Sequence, residues 1–344
     1  MPYRQLAFTS DNHVVSQKLT HWTKTGIGSD GAEWHPRVDY EETIVYDSSG
    51  NGISATTLHE YNGDLGYKET PVLENKTTSY AFVPAANGSS LTPGGSSTMP
   101  SIPSATPTTT IRVSELTYLI DDPNYSGIKS YYTDQNINGL VTVSKVKDGS
   151  GNVKDKTEIF YDEVGTYPII SAGTDSQWVD PGTNYRGNVT TTKSYYDITN
   201  SLFVATHAQY DNFGNQRKSW DGRGHLSQTD YSQTYAYAYP TGTVTQIPDP
   251  LGKKGSMISF TTEMTYDYDA GLPLTATDVN GQVTTLEYND PLLRPTKVTA
   301  PNGQETITEY GAGVNEATRY VRSRVQIDST PHWKESYNWY DGLG

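Results

Sequence analysis

The sequence predicts an all-β protein made of repeated antiparallel β-hairpins of about 22 residues each, and three observations carry that reading. The stretch "DVNGQVTTLEYND" at 278–290 is nearly rewritten as "APNGQETITEYGA" at 300–312, so that Asn280, Gly281, Gln282, Thr284, Glu287 and Tyr288 recur 22 positions later. Composition agrees: 344 residues hold 27 Tyr, 31 Gly and 19 Pro but only 19% charged side chains, a mixture that favours strands and turns over helices. Turn clusters such as "DSSGNG" and "NGDLG" punctuate the apolar-polar runs at strand-like intervals.

From the N-terminus, residues 1–83 read as degenerate hairpins, with "EETIVYD" and "ATTLHEYN" as strands. Residues 84–111 are rich in Ser, Thr, Pro and Gly and almost free of large apolar side chains, so they cannot offset the entropy of ordering and read as a flexible linker or long loop. Residues 112–344 resume the strand-and-turn rhythm, which becomes most regular toward the C-terminus. Tyr266, Tyr288 and Tyr310, Pro273 and Pro295, and Gly281 and Gly303 are all spaced by 22, and an earlier copy begins at Tyr210. Two strands of about 7 residues and two short turns fill such a repeat. Alternation places Thr284, Leu286 and Tyr288 on one face with Thr306, Thr308 and Tyr310, and Asp230, Glu287 and Glu309 on the other. The tyrosine rings of successive copies are expected to lie beside one another, and the opposite face to be acidic and wet. Neither face has the Val/Ile/Leu density of a sandwich core, which argues for a broad sheet bounding space.

Several functions fall away. A net charge of −14 with no basic cluster repels nucleic acid and anionic membranes. Without cysteine there is no disulfide, thiolate metal site or cysteine nucleophile. The opening "MPYRQLAFTSDNHVV" has no signal-peptide pattern, and no run of 18 apolar residues suggests a membrane span. Gly26 to Gly31 match G-x-G-x-x-G, yet neither an apolar strand before nor a helix after supports a dinucleotide site. His21 and His35, near Trp22 and Trp34, form no metal-ligand pattern. Asp148 to Asn152 ("DGSGN") begins like a calcium loop, but Val153 stands where glycine is needed, and the segment reads as a hairpin turn. No catalytic, cofactor or metal residue is assigned.

The recurring motif is a Tyr-Asp pair followed by glycine: Tyr46-Asp47 with Gly50, Tyr161-Asp162 with Gly165, Tyr210-Asp211 with Gly214, Tyr266-Asp267 with Gly271, and Tyr340-Asp341 with Gly344. Trp220-Asp221 with Gly224 substitutes an indole. Asp can bond the backbone two residues on and Gly accepts positive φ, so the motif is a folding signature. It resembles the YD repeats of the Rhs family, firmly from about Tyr185 onward and loosely over 36–82 and 112–184. The resemblance implies a hairpin sheet that spirals into part of a hollow shell, as in bacterial toxin-complex shells and teneurin barrels. It further implies a secreted or cell-surface bacterial protein whose shell encloses or displays a C-terminal toxin or effector. Because the text stops in mid-repeat at "YDGLG", the chain is expected to be a piece of such a protein. Shells of this family that cleave themselves carry paired "DPxG" elements; "DPLG" at Asp249 to Gly252 stands once and reads as a turn. The expected function is structural and not enzymatic. The rival reading is a carbohydrate-binding adhesion module, with Trp22, Trp34 and Trp220 as candidate glycan contacts.

Overall fold

The computed structural model describes residues 3–27, 33–62, 72–95, 103, 106–249, 251–311, 320–328 and 332–340. It contains 21 strands, and every ladder between them is antiparallel. Two compact units form, one from Met1–Glu163 with Thr183–Thr206 and the other from Val164–Gly182 with His207–Gly344.

The first unit begins with β1 (Tyr3–Phe8), β2 (Val14–Ile27), β3 (Glu33–Tyr46), β4 (Gly52–Tyr61) and β5 (Glu74–Tyr80), each paired with the next. The short β6 (Val83–Ala85) pairs with the first residues of β4, so that β5 and β6 share one edge of that strand. The order then runs from β5 to β7 (Thr110–Tyr118), β8 (Val141–Asp148), β9 (Val153–Tyr161) and β10 (Val189–Asp197). Within the stretch read as a linker, Gly88 donates to the Gly50 carbonyl at 2.8 Å, and Leu91 packs against the core formed by Val14, Leu19, Ile44 and Tyr46. A second core forms where residues 119–140 leave the sheet as two 3-10 turns (Leu119–Asp121, Pro123–Tyr125) and a short helix (Lys129–Thr133). There Leu119, Tyr125, Tyr132 and Tyr161 are buried together, backed by Ile137, Leu140 and Val189. Burial pushes the Tyr125 phenol up to about 12 and raises that of Tyr132 as well.

The boundary at His207 falls within β11 (Leu202–Tyr210). The second unit is a plain meander in which each strand pairs with the next: β12 (Gln216–Trp220), β13 (Leu226–Tyr231), β14 (Pro240–Thr245), β15 (Thr261–Asp267), β16 (Leu272–Thr277), β17 (Val283–Glu287), β18 (Lys297–Thr299), β19 (Glu305–Tyr310), β20 (Tyr320–Gln326) and β21 (Trp333–Trp339). The 22-residue repeat is thus two strands and two turns, as β17 with β18 follow β15 with β16. Among the described residues of this unit only Asp211 and Tyr237 are buried. The sheet has no apolar core of its own, and its ladder, cross-strand pairs and turns hold it.

Those turns share one construction. Asp47 donates its N–H to the Asn51 carbonyl, its own carbonyl receives Gly50, and its Oδ1 accepts the amides of Ser49 at 2.9 Å and Asn51 at 2.8 Å. Gly50 sits at φ 79°. The same pattern closes the turns at Asp148 with Gly151, Asp211 with Gly214, Asp221 with Gly224 and Asp278 with Gly281. It is a three-residue hairpin loop whose third residue takes a left-handed backbone, reinforced by an acceptor aimed at two otherwise unpaired amides. At the N-terminus Thr9 Oγ1 and Asn12 (φ 66°) fill the same two places.

The contrast between the units is measurable. Leu19→Ala, at a fully buried site in the first unit, is expected to cost about 3 kcal/mol. Leu274→Ala, at a position 37% exposed in β16, is expected to cost less than about 1 kcal/mol, both read from urea denaturation.

Candidate binding groove

The repeat pattern is interrupted once in an informative way. Asp162 follows Tyr161 at the end of β9, but the chain does not turn there; residues 163–186 intervene before the turn is completed. Asp162 N–H donates to the Asn188 carbonyl at 2.9 Å, Asn188 N–H returns to Asp162 Oδ1 at 3.1 Å, and Gly187 takes φ 79°. Gly187, and not Gly165, therefore completes this turn, because an insertion separates the aspartate from its glycine. Asp162 is 6% exposed and also accepts from Arg186 N–H, Gly187 N–H and the Tyr132 hydroxyl at 2.7–3.0 Å. Burial raises its carboxyl, against the pull of those donors.

Part of the insertion, Val164–Gly182, belongs to the second unit. There Ile170 N–H donates to the Tyr210 carbonyl at 2.8 Å, and both ends of the Asn212 amide bind the insertion, Oδ1 to Ala172 N–H and Nδ2 to the Gly173 carbonyl. Tyr167 lies over His207 and Trp220, with centroids 5.3 and 5.7 Å apart. Gly173 comes so near the Tyr237 hydroxyl that an added Cβ would sit 2.4 Å from it. Farther on, Asp175 Oδ1 accepts Gln177 N–H, and the turn sets Trp178 against Phe213, which stacks on Tyr237 at 4.4 Å. Ala236 and Tyr237 both hold left-handed backbones, φ 48° and 58°, and the Asn215 amide secures the Tyr237 carbonyl at 2.9 Å. The result is a groove of about 410 Å³ bordered by Asp175, Gln177, Trp178, Phe213, Asn215, Tyr237 and Tyr268.

The motif tyrosines do something other than form a ladder of rings. Tyr266 meets Tyr235 and Tyr239 from the loop before β14, and Tyr310 carries the Arg294 guanidinium 3.9 Å from its ring. Among the described residues no ring pair joins Tyr266, Tyr288 and Tyr310; Tyr266 and Tyr310 pack against loop side chains instead. Their hydroxyls matter instead. Tyr61, Tyr118, Tyr161 and Tyr310 end their strands, Tyr266 stands one residue before the end of β15, and each donates to a backbone carbonyl on or next to the neighbouring strand, those of Val38, Glu74, Val141, Pro295 and Pro240 respectively, at 2.6–2.9 Å. Tyr46 donates to Gln17 Oε1. Asp267 accepts Ala270 N–H in a turn one residue longer, with Gly271 at φ 68°. Gly281 and Gly303 close the turns that start at Asp278 and Ala300, Tyr340 is exposed, and Asp341 lies outside the described residues.

The carboxylates expected on the acidic, wet face keep substantial exposure and are ion-paired: Asp230 with Arg217, Glu287 with Lys297, and Glu309 with Arg322 and Arg324. Of the tryptophans singled out from the sequence, Trp22 is 41% exposed in the first unit, Trp220 lies under Tyr167 in the second, and the Trp34 side chain falls outside the described residues. The ring that borders a groove is Trp178, which no repeat pattern marks. No helix among the described residues is long and apolar enough to cross a membrane.

A family model described as RHS Repeat matches residues 266–305, the span from β15 to the start of β19. Residues 266–305 carry the RHS-repeat pattern. Solved structures similar to this chain include a TcdB2-TccC3-Cdc42 complex (12% identity, TM-score 0.40, covering 95% of this chain and 15% of that one). A Tc holotoxin pore of Photorhabdus luminescens gives 11% identity and a TM-score of 0.39, covering 92% and 15%. A porin-like protein from Bacteroides uniformis gives 10% and 0.20, covering 98% and 96%. The chain spans about 15% of the length of the toxin-complex chains. No curated protein matches it.

Asp211, fully buried, accepts two turn amides and faces Arg217 at 3.4 Å, so Asp211→Ala is expected to cost about 2–4 kcal/mol in denaturant titrations. The exposed turn aspartates supply a pH signature. Asn152 and Lys154 hold Asp148, and His225 holds Asp221, at about 2, below the usual carboxylate range. A depressed folded pKa stabilises above the unfolded value of about 4 and loses that effect as pH falls toward 2. The melting temperature should therefore drop between pH 4 and 2, and less steeply in an Asp148→Asn, Asp221→Asn variant.

Proposed function

We propose that this chain is wall material: a run of RHS-repeat hairpins forming part of the shell of a longer, secreted or surface-exposed bacterial protein that encloses or displays a C-terminal cargo domain. The observation that carries the reading is the second unit's sheet, in which only Asp211 and Tyr237 are buried among the described residues. A meander whose described residues bury no apolar side chain but Tyr237 is wall-like, since an independent domain of this size would bury an apolar layer. The repeated features suit that role. Aspartate turns, left-handed glycines and tyrosine hydroxyls all satisfy backbone groups at the ends of strands, and none is arranged for chemistry on a substrate.

Electron microscopy of the longer natural polypeptide tests this. The expected result is a closed, hollow β-shell in which residues 207–340 contribute adjacent hairpins of the wall, with the cargo inside or held at its mouth. A solid domain without a cavity would exclude the role.

A further inference from the structure

The groove beside Trp178 has a composition that the wall does not require. We propose that it is a binding site for a neutral saccharide, with Trp178 as the stacking surface and Asp175, Gln177 and Asn215 as hydrogen-bonding partners for its hydroxyls. Trp178 is half-buried, backed by Phe213 at 4.9 Å, and so presents a supported ring beside open space. A pyranose has an apolar face that lies flat on an indole and a rim of hydroxyls that needs acceptors and donors together. Asp175 uses Oδ1 within its own turn, which leaves Oδ2 for a ligand. Asn215 uses Nδ2 on the Tyr237 carbonyl, which leaves its Oδ1. Gln177 is exposed and supplies both an amide donor and an acceptor.

Other ligand classes fit less well. Neither Lys nor Arg lines the groove and the chain carries a net charge of −14, which disfavours anions. Phe213 and Tyr237 each spend one ring face on the other at an interplanar angle of 18°, which leaves fewer open faces for an organic cation. The adjacent left-handed residues Ala236 and Tyr237 are the second observation. Ala236 caps the 3-10 turn Gln233–Tyr235 with this backbone and Tyr237 follows it, which sets the Tyr237 ring against Phe213 at the groove. A volume of about 410 Å³ falls within the range of small-ligand pockets. The site stands independently of the shell reading, since a wall with or without a groove encloses cargo equally well.

Calorimetric titration of the 344-residue chain with chitotriose, maltotriose and cellotriose, beside choline and sialyllactose, tests the proposal. At least one neutral trisaccharide is expected to bind, and Trp178→Ala and Gln177→Ala to weaken it at least tenfold, while Trp22→Ala binds as the parent does. Gln177 is exposed, so its variant should keep the parent melting temperature and report on binding alone. No binding by any of the neutral trisaccharides, affinity unchanged in both groove variants, or binding of choline or sialyllactose alone would overturn the assignment.

Discussion

A sheet one layer thick must satisfy its backbone at every strand end without help from a core, and the aspartate-centred turn meets that constraint throughout this chain. One carboxylate oxygen accepts the amides two and four residues on, while a left-handed glycine lets the chain reverse. Where Asp is absent the geometry survives on a substitute: Thr9 supplies its hydroxyl, and the turn from Ala300 to Gln304 relies on Gly303 and the Asn302 side chain. At other strand ends the tyrosine hydroxyls perform a related task, binding carbonyls of the neighbouring strand. The two devices explain why Tyr, Asp and Gly recur together although the rings and carboxylates of one copy rarely touch those of the next.

The units divide the labour of stability differently. The first inserts residues 119–140 beside its sheet and gathers Leu119, Tyr125, Tyr132 and Tyr161 into a core of the ordinary kind. The second spreads small contributions over many sites. Lys297 bridges Glu287 and Glu305, and Arg322 bridges Glu309 and Glu335, in cross-strand ion pairs that are individually weak but set register across successive hairpins. Such a sheet draws its stability from ladder, ion pairs and turns rather than from a private core.

Much of this was legible in the sequence because repetition makes local rules visible. The 22-residue spacing, the strand between Gly303 and Tyr310, and the glycine-bearing turns follow from alternation and turn chemistry and appear in the structure as β17 to β19. The ring ladder was misread, since sequence spacing says nothing of loops such as 232–239 that insert their own tyrosines between copies. The partners of Glu309 were also hidden, because Arg322 and Arg324 arrive from a strand outside the clear repeats. Trp178 was illegible for a different reason. It sits in a non-repetitive segment, and only the pairing of Ile170 with the Tyr210–Asn212 stretch reveals which turn it approaches. Even there a faint signal existed: "RGN" at 186–188 copies the glycine end of a turn with no aspartate three residues before it.

The divided turn at Asp162 has an architectural consequence. Its two halves meet through the paired bonds of Asp162 and Asn188 although residues 163–186 lie between them, while the intervening residues bond elsewhere, Ile170 to Tyr210 and both Ala172 and Gly173 to Asn212. Such a joint tolerates length between its ends without leaving the content free. A foreign loop grafted between them would keep the Asp162–Asn188 closure and forfeit the contacts of Tyr167, Ile170 and Trp178.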